Sequence, residues 1–233
     1  MHWFYTENIS GSTHDFDQEE SKHAIRVLRL GKGDQVRLTN GKGSVFHAVI
    51  KDDNPKQCRL EITREERFAA RSFSVHIAVA PTKNISRFEW FLEKATEIGI
   101  EEITPLECEH SERIRLRTDR LEKIIITALK QSQQAWLPKL NPVTSFRQFI
   151  KNSNSAQNFI AYVDENHDTL LQQACKPGSD ALVLIGPEGD FSRVEIQDAI
   201  SAGFLPISLG KNRLRTETAA LVACHTINLV NQS

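Results

Sequence analysis

Short apolar runs broken by tight turns fill the first 71 residues, and after them amphipathic helical stripes alternate with apolar strands. In the first region Gln35–Thr39, Val45–Ile50 and Arg59–Thr63 are predicted strands. Asn40-Gly41 is a strong hairpin signal between the first two, and Gly31-Lys32-Gly33-Asp34 and Asp52-Asp53-Asn54-Pro55 are further turns. One helix is expected over Asp17–Leu28, with Ala24, Ile25, Val27 and Leu28 apolar. Several short strands with tight turns suggest a small β-barrel over residues 1–71. Arg64–Arg71, charged and polar, reads as the linker that follows.

The second region, 72–233, has another rhythm. Ser74–Ala80 is apolar enough for a central strand, and Ser86–Ile98 places Phe88, Phe91, Leu92, Ala95 and Ile98 on one helix face. Ser86 and Glu89 have capping-box spacing, and Gly99 is the natural stop. Ile100–Leu106 returns as a strand. Strand, helix and strand with such short connections imply a parallel sheet in an α/β domain. A helix is predicted from Thr118 or Asp119 to Trp136, ended by Pro138. Residues 151–158 read as a loop, Phe159–Val163 as a strand followed by Asp164-Glu165-Asn166, and Leu170–Cys175 as a short helix.

The pattern is most specific from Ala181 to Leu221. An apolar run, Ala181–Ile185, ends in Gly186-Pro187-Glu188-Gly189. Ser192 and Glu195 then form a capping box for a helix stopped by Gly203, and a short strand, Leu205–Leu209, follows. Gly210-Lys211-Asn212-Arg213-Leu214-Arg215-Thr216-Glu217-Thr218 leads into a final helix beginning at Glu217 or Thr218 and running to Val230. Two glycine-bearing loops at the ends of neighbouring strands are where an open α/β sheet places a ligand. The loops contain neither a GK[ST] phosphate loop nor GxGxxG, which disfavours nucleoside triphosphates and dinucleotides.

Composition adds limits. The apolar and charged fractions, 39% and 25%, are those of a globular protein, and no apolar run is long enough to cross a bilayer. The N-terminus lacks the basic and apolar regions of a signal peptide. Four cysteines stand singly, which fits reduced thiols in the cytoplasm, and neither they nor the eight histidines have metal-ligand spacing. A net charge of −1 argues against nonspecific coating of nucleic acid but leaves local basic patches open. Lys22, His23, Arg26, Arg29 and Lys32 form one such cluster. It has two readings, a solvated helix face, which charge alone favours, and a phosphate-contacting patch. Arg113, Arg115, Arg117 and Arg120 form another.

LIGPEGDFSRVEI, ISLGKNRLRTETAA and KATEIGIEEITPL together resemble the ribosomal RNA small-subunit methyltransferase E family (RsmE) of the SPOUT superfamily, and HAIRVLRLGKGD and ALKQSQQAWLPKL extend the resemblance over nearly the whole chain. The resemblance implies an N-terminal PUA-like barrel for RNA and a C-terminal α/β domain with a parallel sheet and a deep trefoil knot. It implies a homodimer that binds S-adenosylmethionine without a metal and methylates N3 of one uridine in 16S ribosomal RNA of the small ribosomal subunit. By position, Leu184, Ile185, Gly186 and Glu188 line one wall of the donor pocket. Leu209, Gly210, Leu214, Arg215, Thr216, Glu217 and Thr218 line the other. Lys22, His23, Arg26, Arg29, Lys83 and Arg87 become RNA-contact candidates. Asp190 and Gln134 depart from the family pattern, which usually has glycine and arginine there.

N3 of uridine carries a proton at neutral pH, so the enzyme must remove it or stabilise the uracil anion. Arg215 is the candidate for stabilising charge on a uracil carbonyl oxygen. Glu217 is the candidate for accepting the proton or orienting Arg215, with a structural cap of the last helix as the equal reading. The alternatives are a SPOUT enzyme acting on another RNA position and a non-catalytic RNA-binding assembly factor.

Overall fold

The structure is a computed structural model and describes residues 1–163 and 169–232. Asp164-Glu165-Asn166 lies outside them. The chain divides into two compact units, Met1–Ala70 with Leu129–Leu137, and Arg71–Ala128 with Pro138–Ser233.

The first unit contains β1 (His2–Tyr5), β2 (Thr13–Asp15), α1 (Gln18–Lys22), a π-helical turn (His23–Val27), β3 (Gln35–Thr39), β4 (Ser44–Asp52) and β5 (Arg59–Arg67). They form a five-stranded sheet in the order β1-β3-β4-β5-β2, antiparallel except for β1, which joins β3 in parallel. Phe4, Phe16, Ala24, Val36, Leu38, Ala48, Ile50, Cys58 and Leu60 are its core.

Three expectations change here. Arg64–Arg67 is strand rather than linker, because a register shift beside His47 lets the ladder continue to Ser44↔Arg67. The helix capped by Asp17, whose carboxylate accepts from Glu20 N–H at 2.7 Å, turns π-helical after Lys22. The long helix predicted to reach Trp136 stops at Ser132. There Gln133, with φ 58°, takes the left-handed position, Gln133 N–H donates to the Lys130 carbonyl, and Gln134 N–H donates to that of Leu129. That is a Schellman motif built without glycine. The freed segment packs on the β3–β4 turn. Gly43 N–H donates to Ala135 and Leu137 N–H to Gly41, each at 2.9 Å. A Cβ on Gly43 would lie 2.5 Å from the Trp136 ring, so this turn is glycine-rich to seat that tryptophan as well as to reverse the chain.

The second unit contains β6 (Val75–Val79), α2 (Ile85–Ile98), β7 (Glu102–Glu107), the first part of α3 (Thr118–Ser132), β8 (Lys139–Leu140), β9 (Thr144–Ser145) and α4 (Phe146–Asn152). Then follow β10 (Gln157–Ala161), α5 (Leu171–Ala174), β11 (Ala181–Ile185), α6 (Arg193–Ser201), β12 (Leu205–Ile207) and α7 (Thr216–Val230). The strand order is β12-β10-β11-β6-β7-β8, with β9 also on β7, and every pairing is parallel. All five residues of β11 are buried, as a strand covered on both faces requires. Asn84, rather than Ser86, caps α2, its side chain accepting from Ser86 N–H. The Ser192–Glu195 capping box forms with both hydrogen bonds, and Glu195 also accepts from Glu109 N–H at 2.9 Å. α7 leaves the edge strand β12 and returns to pack on α2, β6, β11 and α5.

Candidate active site

The sheet order reverses between β6 and β11, and a crevice opens at that point beyond the strand ends. Two loops meet there. Ala80 N–H donates to the Ile185 carbonyl at 3.0 Å, and Lys83 N–H donates to Glu188 Oε1 at 2.9 Å. The loop after β7 closes over both. Arg113 donates Nε–H and Nη2–H to the Lys83 carbonyl at 3.1 and 2.9 Å, and Lys83 Nζ lies 2.7 Å from Glu112 Oε2. The hydrogen bond to Glu112 holds the Lys83 ammonium above its ordinary pKa. Lys83, Asn84, Arg87, Glu112 and Glu188 line a cleft of about 420 Å³.

The second glycine loop leads into α7, which packs on α2. Gly210 has φ 125° with open space where a Cβ would be. Arg215 stands at the N-cap of α7 without a capping side-chain bond, and it is exposed. Thr216 and Glu217, in the first turn, are buried. Glu217 Oε1 lies 3.8 Å from Arg87 Nε, and Glu217 Oε2 is buried without a hydrogen-bond partner. α2 therefore touches both loops in its first turn, through Lys83 just before it and Arg87 within it.

The remaining residues singled out by sequence divide by environment. Leu184 and Ile185 are buried strand residues, Leu184 within the core around Phe191 and Phe204. A Cβ on Gly186 would sit 3.1 Å from Phe191 N, so this glycine is required by its own loop's packing. Leu209, Leu214 and Thr218 are half-buried. Asp190 adopts φ 63°, the left-handed region that a glycine would occupy freely. Its carboxylate compensates, accepting from Phe191 N–H at 2.8 Å and Val163 N–H at 3.2 Å, while its carbonyl faces His110 Nδ1 at 3.0 Å. Gln134 is spent on ending α3, its side chain donating to Ser132 Oγ at 3.2 Å. Lys22, His23, Arg26 and Arg29 are exposed in the first unit, whereas Lys83 and Arg87 belong to the cleft. Sequence reading assigned no role to Asn84, His110, Glu112 or Arg113. The arginine-rich stretch after β7 was the signal for the last three, and Asn84 gave none beyond its place before α2.

These residues fit a small polar ligand with cationic and hydrogen-bonding groups. The orphaned Glu217 Oε2 offers an acceptor, the uncapped α7 terminus offers free N–H donors, and Gly210 leaves room for close backbone approach. S-adenosylmethionine carries partners for each.

The RNA methyltransferase domain family matches residues 70–228, and the RNA methyltransferase PUA domain family matches residues 16–63. The chain is 31% identical over 234 residues to a ribosomal RNA small subunit methyltransferase E of Synechocystis sp., covering 97% of this chain and 76% of that protein. Its fold is similar to that of a probable rRNA-methyltransferase from Porphyromonas gingivalis, with a TM-score of 0.93, 42% identity, and coverage of 100% and 99% of the two chains. It is also similar to a ribosomal RNA small subunit methyltransferase E from Neisseria gonorrhoeae, solved bound to S-adenosylmethionine. That match has a TM-score of 0.90, 27% identity, and coverage of 99% and 98%.

Proposed function

Because the chain belongs to the ribosomal RNA small subunit methyltransferase E family, we propose that it transfers a methyl group from S-adenosylmethionine to N3 of one uridine in 16S ribosomal RNA. The observation that carries this reading is the convergence of both glycine loops on the start of α2, through Lys83–Glu188 and Arg87–Glu217. A donor and an acceptor nucleotide need one cleft bounded by both.

S-adenosylmethionine, when bound, supplies a methyl group on a positively charged sulfur, so no metal is invoked. Leu184, Ile185, Gly186 and Glu188 on one side, and Leu209, Gly210, Leu214, Thr216 and Thr218 on the other, would hold it. The chain's own residues then handle the uracil. Arg215, exposed and without an ion pair among the described residues, is free to place its guanidinium against a uracil carbonyl oxygen as N3 loses its proton. Glu217 is buried beside Arg87, which suits it to accept that proton or to fix Arg87 at the cleft wall. Lys83 and Arg87 would meet the RNA at the cleft, and Lys22, His23, Arg26 and Arg29 would do so on the first unit.

On this reading the first domain, residues 1–71, is a PUA-like barrel, and the second, 72–233, is a SPOUT domain. The parallel sheet and the return of α7 from the edge strand to β6 and β11 support a trefoil knot in the second. The protein acts as a homodimer in the cytoplasm, where its substrate is made. Among the described residues no helix is long and apolar enough to cross a membrane. Mass mapping of small-subunit RNA from cells with and without the gene tests the assignment. One uridine should lose a methyl group when the gene is absent, and an unchanged RNA would overturn it.

A further inference from the structure

The basic segment of the first unit carries an apolar side chain that its core does not use. In the π-helical turn His23–Val27, Leu28 N–H donates to the His23 carbonyl and Leu30 N–H to that of Ala24, both at 3.0 Å. Helical spacing from Asp17 gathers Ser21, Ala24, Ile25 and Leu28 on one face, and all four are buried or half-buried. Val27 would lie at the flank of that face in an α-helix. The wider turn carries it round to solvent, where it is 65% exposed. Arg29 follows with φ 56°, a conformation costly for any residue with a Cβ. Two locally unfavourable features thus adjoin, and such strain gathers at functional sites.

The charges around Val27 point one way. Lys22, His23, Arg26, Arg29 and Lys32 are all exposed, and none forms an ion pair among the described residues. Three of the four acids within residues 17–34 make contacts of their own. Asp17 caps α1, Glu20 lies 3.5 Å from Lys130, and Asp34 accepts from Gly31 N–H at 2.8 Å. Glu19 alone in this stretch is unpartnered among the described residues. Lys22, Arg26, Arg29 and Lys32, exposed and without an ion pair among the described residues, fit a polyanion. An exposed valine in their midst fits an unstacked base, which a single strand offers and an A-form duplex does not.

We propose that the π-turn His23–Val27 is a contact site for single-stranded RNA in which Val27 packs on a nucleobase while the surrounding cations hold the flanking phosphates. This rests on the reading of the protein as an RNA methyltransferase and adds a residue and a strand preference to it.

The full-length protein is titrated with a single-stranded oligoribonucleotide and with an RNA duplex of equal length across a salt series. Val27→Ser should weaken single-strand binding by about tenfold, the loss expected for one buried apolar contact. Its salt dependence should match the wild type, whereas Arg26→Ala should reduce the slope by about 0.7. Val27→Leu should bind as the wild type does, and the thermal midpoint of Val27→Ser should not move. Equal binding of strand and duplex by the wild type, or wild-type affinity in Val27→Ser, overturns the proposal. Methyl transfer by the wild type is assayed on 16S RNA separately. Its absence would sink the functional reading while leaving this result standing.

Discussion

Arg87, in the first turn of α2, and Glu217, in the first turn of α7, form a 3.8 Å ion pair whose second carboxylate oxygen is buried without a partner. The two residues come from opposite ends of the second unit's sequence, and their approach joins the cleft to the second glycine loop. A buried acceptor left unsatisfied costs free energy unless something completes it. Glu217→Gln preserves shape and burial while removing the charge. With donor binding measured separately by calorimetry, it should lower methyl transfer at saturating S-adenosylmethionine by about a hundredfold, the scale of a lost proton acceptor. Turnover at the wild-type rate would leave Glu217 as a structural member of α7. Arg87→Ala removes the partner of a buried carboxylate and should lower stability by about 1–3 kcal/mol in urea unfolding.

Arg215 is exposed at the N-cap of α7 and makes no capping side-chain bond. Arg215→Ala should therefore leave stability within about 0.5 kcal/mol of the wild type. Methyl transfer should fall by about a hundredfold or more, as when one donor to a developing oxyanion is removed. Donor affinity measured alone should not change. Full turnover by this variant ends its proposed role.

Asp190 holds a left-handed backbone and repays the strain through its carboxylate. Asp190→Asn keeps an oxygen acceptor and a side chain tolerant of that conformation, so it should lie nearest the wild type. Asp190→Ala keeps the strain and loses both acceptors, and should cost about 1–3 kcal/mol. Asp190→Gly relieves the strain and should fall between them. If Asp190→Ala is as stable as the wild type, the hydrogen bonds to Val163 and Phe191 contribute nothing.

His76 on β6 faces Thr104 Oγ1 at 2.8 Å, and burial pushes its pKa down to about 4 from 6.5. The unfolded chain therefore binds the proton first as pH falls. Stability is fully present above about pH 6.5 and is lost as pH falls toward 4, by about 3 kcal/mol for this shift. His76→Gln should flatten that part of the stability profile. An unchanged profile would mean that His76 is not the group responsible.

Burial pushes the Cys58 thiol up to about 11 and the Cys224 thiol to about 12, and it raises Cys108 and Cys175 as well. All four are buried and unbridged. The native protein should react with a thiol reagent only as fast as it unfolds, and rapid labelling of any cysteine would contradict this burial.

Local chemistry wrote much of this protein into its sequence. Ala181–Ile185 is a strand over the predicted residues because five apolar residues bounded by glycine can be little else. The Ser192–Glu195 box and the Gly99 stop act within one helical turn, so spacing alone reveals them. The two glycine loops were expected at the ends of neighbouring strands, whereas β10 lies between β11 and β12 in the sheet. What needed the tertiary structure was everything carried by distant partners. Arg64–Arg67 is polar on both faces and becomes a strand only because β4 is beside it. Helix α3 ends at Ser132 because the segment beyond it packs on Gly41 and Gly43 rather than because Pro138 intervenes. The β-pairing of His2–Tyr5 with β3 joins residues that no local pattern connects. The cleft itself is an encounter of Lys83, Asn84, Arg87, Glu112 and Glu188, with Glu217 behind Arg87. Sequence supplied each residue's chemistry, but only the parallel order of β11 beside β6 and the return of α7 place them around one space.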